Sequence, residues 1–143
     1  MSTRQKLLVL LLVLLPVTAF AIDIPGITTQ TGTFSTRIKF NCVDEHRGPW
    51  AKSTPLEGDI AVVRQGNVIE KILLVTDWIE MLFDKVIAVA ISKKGTKTGI
   101  AIGANDYYQY LDFKLTDRGL SGKLGVGGED CVGRANLNVI FSD

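Results

Sequence analysis

One histidine, His46, and two cysteines, Cys42 and Cys131, are all that this 143-residue chain offers of the side chains on which many hydrolytic and metal sites are built. Neither a His-x-x-x-His nor a C-x-x-C pair can be formed, which removes the usual structural zinc site. A hydrolase with an imidazole base would have to use His46, and no G-x-S-x-G elbow or S-x-x-K arrangement accompanies it. No D-x-[DN]-x-[DN]-G loop marks a calcium site. Gly125-Val126-Gly127-Gly128 falls between strand patterns, where it reads as a turn and not as a phosphate cradle. The expectation is therefore a non-enzymatic protein with no catalytic set, metal or cofactor. An excess of one charge is missing too: Lys and Arg number 16 against 15 Asp and Glu, and no like-charged run exceeds Lys93-Lys94. Nothing draws the chain to nucleic acid. None of the asparagines heads an N-x-[ST] sequon, in keeping with a bacterial envelope or secreted protein.

What is present begins at the N-terminus. Arg4 and Lys6 precede the apolar run Leu7 to Leu15, and Ala19-Phe20-Ala21 supplies a small-residue ending. This is the layout of a secretory signal peptide over residues 1–21, removed on export to the periplasm or the medium. The apolar stretch from Leu7 to Ile22 contains Pro16 and is short for a spanning helix, so no stable membrane span is expected after cleavage. Loss of Arg4 and Lys6 leaves 14 basic against 15 acidic residues, a net charge of −1. In an oxidising compartment the two cysteines pair, and with only two the connectivity is Cys42 to Cys131.

Residues 22–32 read as a turn-rich lead-in, and residues 33–143 as a single β domain. Phe34, Thr36, Ile38, Phe40 and Cys42 share one parity against Ser35, Arg37, Lys39 and Asn41, the pattern of a half-buried antiparallel strand. Val43 to Glu57, with Gly48-Pro49 and Thr54-Pro55, reads as the longest loop. Ile60–Arg64 and Val68–Val75 flank Gln65-Gly66-Asn67 as a hairpin. Asp77 with Glu80, and the i,i+4 pairs Trp78/Leu82 and Ile79/Phe83, predict one short helix over 77–84. Val86 to Ile91 reads as a strand covered on both faces. Leu111/Phe113/Leu115, Leu120/Leu124/Val126 and Ala135/Leu137/Val139/Phe141 are the inward sets of three more strands. About eight short strands at close spacing imply an antiparallel meander closed as a small barrel, with a β-sandwich as the alternative. Cys42 ends the first strand and Cys131 begins the last, which in a meander of even count puts both on one rim and favours the barrel.

A Cys42–Cys131 bond would also gather Asp44 and Glu45 with Glu129 and Asp130, flanked by His46, Arg47 and Arg134. Carboxylates so placed suit a hard cation, an acid/base pair or a basic partner. Trp50, beside Pro49, and Tyr108 and Tyr110 on an outward parity are the aromatic candidates for contact with a partner. The leading reading is an exported binding module that recognises another protein, of inhibitor, immunity or accessory type. Gly32-Thr33-Phe34 resembles the G-x-W of lipocalins over three residues, which implies the alternative of a calycin-like carrier of a small apolar ligand. A hydrolase built on the carboxylate rim with His46 is the third reading.

Overall fold

The computed structural model describes residues 26–103 and 108–142; the expected signal peptide and Tyr107 lie outside them. Eight strands follow one another: β1 (Ile27–Asp44), β2 (Gly48–Gln65), β3 (Val68–Thr76), β4 (Glu80–Ile91), β5 (Lys97–Gly103), β6 (Tyr108–Leu115), β7 (Gly119–Gly127) and β8 (Cys131–Phe141). Each pairs antiparallel with the next, and β1 pairs with β8 to close the ring. The domain is an all-β antiparallel barrel, and no helix occurs among the described residues.

The side-chain alternation of each strand fills the interior. Phe34 and Ile38 of β1, Ile72 and Leu74 of β3, Met81 and Phe83 of β4, and Leu111 and Phe113 of β6 join one buried cluster with their counterparts on β2, β7 and β8. Removing that apolar surface from water, at roughly 25 cal/mol per Å2, is the main favourable term in folding. On the other face of β2 and β3, Ala61, Val63, Leu73 and Val75 stand outside the cluster and are buried as well. This strand pair is apolar on both sides, as the unbroken runs Ile60–Val63 and Ile72–Val75 require.

Four expectations are corrected. Val43 to Glu57 is not a long loop: only Glu45, His46 and Arg47 turn, and β2 has already begun at Gly48. Its prolines are tolerated because residues 48–57 pair with β1 alone, β3 joining only from Gly58, so one side of this segment needs no N–H donor. Residues 77–84 are not a helix but a tight turn followed by β4. The Thr76 hydroxyl oxygen accepts from the N–H of Ile79 at 3.0 Å and of Trp78 at 3.3 Å, and Met81/Phe83 then alternate inward against Glu80/Leu82/Asp84. Without a helix to cover it, the second half of β4 is open: Ile87 and Ile91 are exposed. The first strand also starts earlier than the alternation indicated, at Ile27, where it pairs with Gln65.

Closure at β1 and β8 carries the crosslink. Cys42 and Cys131 face each other in the ladder with their Cα atoms 4.0 Å apart and are joined by a disulfide. Next to it the Val43 N–H donates to the Asp130 carbonyl at 2.8 Å. The corner glycine Gly58 sits where β2 passes from two neighbours to one, and a Cβ there would overlap the Val75 carbonyl.

The bond spans 89 residues. A loop of that length is assigned roughly 4–5 kcal/mol in the chain-entropy account, of which real proteins realise part. Cys42→Ser should therefore lower the melting temperature by about 10 °C. Calorimetric scans with and without reductant check this: reductant should bring the parent down to the variant's value and leave the variant unmoved.

Candidate functional site

The register that closes the barrel also assembles a groove on its outside. On the outward parity of β1, Lys39 lies opposite Arg134 of β8; Arg134 lies opposite Gly125 of β7, and Gly125 opposite Tyr110 of β6. Residues directly opposite on one face have their Cβ atoms roughly 5 Å apart, so Lys39, Arg134 and Tyr110 form one row across the wall. Arg37 flanks this row on β1 and Lys123 on β7. Together they line a groove of about 1130 Å3, with Glu57 of β2 as its carboxylate.

The floor of the groove follows from an interruption in the seam. Ladder pairs join Gly32 to Phe141 and Thr33 to Ile140, then resume at Ile38 with Ala135; Phe34–Arg37 have no ladder partner on β8. There the wall thins, and Thr36, Leu124 and Ala135, all of inward parity, reach the groove.

The polar contacts leave the cations available. Arg37 donates from Nε to the Ser53 hydroxyl oxygen at 3.1 Å and from Nη2 to the Ser53 carbonyl at 3.2 Å, which orients its guanidinium along the wall. Ser35 donates its hydroxyl to Glu57 Oε1 at 3.2 Å. Among the described residues the ion pair within 4 Å joins Arg64 to Asp117 at 3.4 Å, away from the groove; none of Arg37, Lys39, Lys123 and Arg134 takes part in one. Two cations placed directly opposite one another cost a sheet from a few tenths to about 1 kcal/mol.

Tyr110 owes its position to glycine. A Cβ on Gly125 would overlap the Tyr110 ring, so the ring lies flat across β7 at that residue. Tyr108 is paired in register with Gly127 without its ring covering that glycine, and the two tyrosine rings are tilted against each other with centroids 5.4 Å apart. Tyr108 is exposed and Tyr110 half-buried.

The other sequence candidates are distributed as follows. Asp44 closes its own turn, its Oδ1 accepting from the His46 N–H at 2.8 Å, and Glu45, His46 and Arg47 are exposed at the β1–β2 tip. Glu129 and Asp130 are exposed in the β7–β8 turn, tied to β1 through the Val43 to Asp130 backbone bond. The two acidic turns are thus neighbours, yet among the described residues no three Asp, Glu, His or Cys side chains are grouped to hold a metal ion. Trp50 is on strand β2 opposite Cys42 and is exposed. At the same end Trp78, in the β3–β4 turn, meets Phe40 with ring centroids 6.5 Å apart. Sequence reading found Tyr110, and Arg134 as a flank of the acidic turns, but not the basic row that joins them. Arg37, Lys39, Lys123 and Arg134 come from three strands, and only the register makes them neighbours. The pattern Tyr108-x-Tyr110 against Gly125-x-Gly127 was the one signal that pointed there.

The ring and the glycine form a coupled pair. Tyr110→Ala should cost about 1 kcal/mol by uncovering β7, Gly125→Ala should cost a similar amount by displacing the ring, and the double variant should cost clearly less than their sum. Urea denaturation of the four proteins measures this, and strict additivity would remove the coupling. No protein-family model matches the chain, and a search of curated proteins finds no significant match.

Proposed function

We propose that the protein is an exported binding module that recognises another protein, taking an acidic segment of it into the groove over β1, β8, β7 and β6. The observation that carries this reading is the Lys39–Arg134 row, two cations facing each other beside Arg37 and Lys123 without an ion-pair partner. Such a row is relieved when carboxylates arrive from outside, and arginine receives them bidentately. Tyr110 adds a large amphipathic contact that is already held in place, so little conformational freedom is lost on binding. The barrel interior is occupied by Phe34, Phe83, Phe113 and the aliphatic cluster around them, which supports recognition on the outer wall over carriage of a ligand inside. The disulfide is in keeping with an oxidising compartment, and the N-terminal pattern with export to it.

Titration of a fluorescent polyglutamate peptide with the protein, followed by anisotropy, tests the reading. Binding should saturate and weaken as salt rises, because the contacts are exposed and screened. Lys39→Glu and Arg134→Glu should each weaken it about fivefold, roughly 1 kcal/mol per charge. Peptide binding indifferent to both substitutions overturns the groove. A sulfated oligosaccharide that displaces the peptide at equal concentration overturns the choice of a protein partner.

A further inference from the structure

The outer face of β2 and β3 is kept from water. Cross-strand pairing sets Asp59, Ala61 and Val63 of β2 opposite Val75, Leu73 and Lys71 of β3, and carries the first two rows on to Glu80 and Leu82 of β4. These side chains point away from the interior, because their strand neighbours Ile60, Val62, Ile72 and Leu74 fill it. An outward side chain on a barrel meets solvent unless something lies over it. Ala61 and Val75 are nevertheless 0% exposed, Leu73 and Asp59 4% and Val63 5%. All eight strands belong to the ring, so among the described residues no strand is left over to form that cover.

Residues 1–25 join the barrel beside this face. The Gly66 N–H donates to the Gly26 carbonyl at 3.1 Å and Ile27 pairs with Gln65, so the chain arrives at the β2–β3 turn, at one end of the face. Gly26 has a φ of +86°, a left-handed conformation that breaks the line of β1 and turns the chain before it. The preceding sequence matches the face in length and in order. Gln65 to Asp59 is a strand of about 20 Å at roughly 3.3 Å per residue, and Ile22 back to Lys6 is about 24 Å if helical, the conformation a leucine run favours. Laid back along the face, Leu7–Leu15 reaches the aliphatics, and Arg4 and Lys6 come to Asp59 and Glu80 at its far end. A buried carboxylate calls for charged or hydrogen-bonding neighbours. Basic residues followed by leucines are the complement of an acidic end followed by aliphatics.

We propose that the N-terminal segment, for as long as it stays on the chain, covers this face: Leu7–Leu15 packs across Ala61, Val63, Leu73 and Val75, with Arg4 and Lys6 at the acidic end. Removing residues 1–21 then uncovers four aliphatics on adjacent strands, so processing changes the surface of the barrel as well as the length of the chain. The face is separate from the groove over β1, β8, β7 and β6. The oxidised full chain, made without passage through an export pathway, and a chain beginning at Ile22 are compared with Nile red, an uncharged dye that fluoresces on exposed apolar surface. Although it carries the longer apolar run, the full chain should bind the dye less than the shorter one, by about twofold or more. Arg4→Glu with Lys6→Glu, which alters no residue of the barrel, should raise the full chain toward the shorter one. In the shorter chain Leu73→Gln, or Leu82→Gln should the first fail to fold, should lower dye binding. A full chain that binds the dye as well as the shorter one, self-associates through its N-terminus or ignores the charge reversal overturns the proposal. So does dye binding by the shorter chain that the glutamine variant leaves unchanged.

Discussion

Everything in this barrel rests on bringing its first and last strands together. Pairing between successive strands is local and needs only a short turn, whereas β1 and β8 must find each other across almost the whole domain, with the loop-closure entropy that implies. The seam is held at both ends and not in the middle. At one end stand the disulfide and the Val43 to Asp130 backbone bond; at the other, Gly32 pairs with Phe141 and the Ser142 N–H donates to the Thr31 carbonyl at 2.7 Å. Between them the ladder lapses along Phe34–Arg37. The covalent bond thus closes the far end of the longest paired stretch of the seam, Ile38–Cys42 with Cys131–Ala135, and holds that stretch together across the lapse.

That same lapse gives the outer wall its character. A continuous ladder would carry uniform rows of side chains with inward residues hidden beneath. Here Thr36, Leu124 and Ala135 come within reach of the outside, and the basic row crosses just at the edge of the gap, at Lys39 and Arg134. Stability alone gives no reason to set two cations opposite one another there while Asp112 and Lys123 face each other as an opposite-charge pair one row away. Lys123 thus meets an acid across its row, whereas Lys39 and Arg134 meet each other.

How far the sequence reveals this depends on the length over which a pattern repeats. The inward sets of β1, β6, β7 and β8 keep one parity over three to five positions, and so the strands, the barrel and the Cys42–Cys131 bond are legible without a structure. Residues 77–84 are too short to separate periods: Trp78/Leu82 and Ile79/Phe83 satisfy a helix, Met81/Phe83 against Glu80/Leu82 satisfy a strand, and the Thr76 side-chain cap resembles the one expected of Asp77. The prolines of 49 and 55 signal a loop only if every strand is assumed to have two neighbours. The groove is illegible for a different reason. Its cations alternate correctly along their strands, but their adjacency depends on registers between β1, β7 and β8 that no single segment encodes.

Strand length explains where the sheet leaves edges open. β1 and β2 each run 18 residues and β4 12, while β3 between β2 and β4 has nine, so parts of the long strands are left without a partner on the β3 side. Such segments have one neighbour instead of two: residues 48–57 of β2 on one side, residues beyond Phe83 of β4 on another. Each exposes a row of unpaired backbone groups, which invites indiscriminate strand addition. Both edges carry the features that prevent it, Pro49, Lys52 and Pro55 on β2 and two bulges on β4. With the edges closed to other strands, these segments meet solvent through their side chains, Trp50 on β2 and Ile87 and Ile91 on β4.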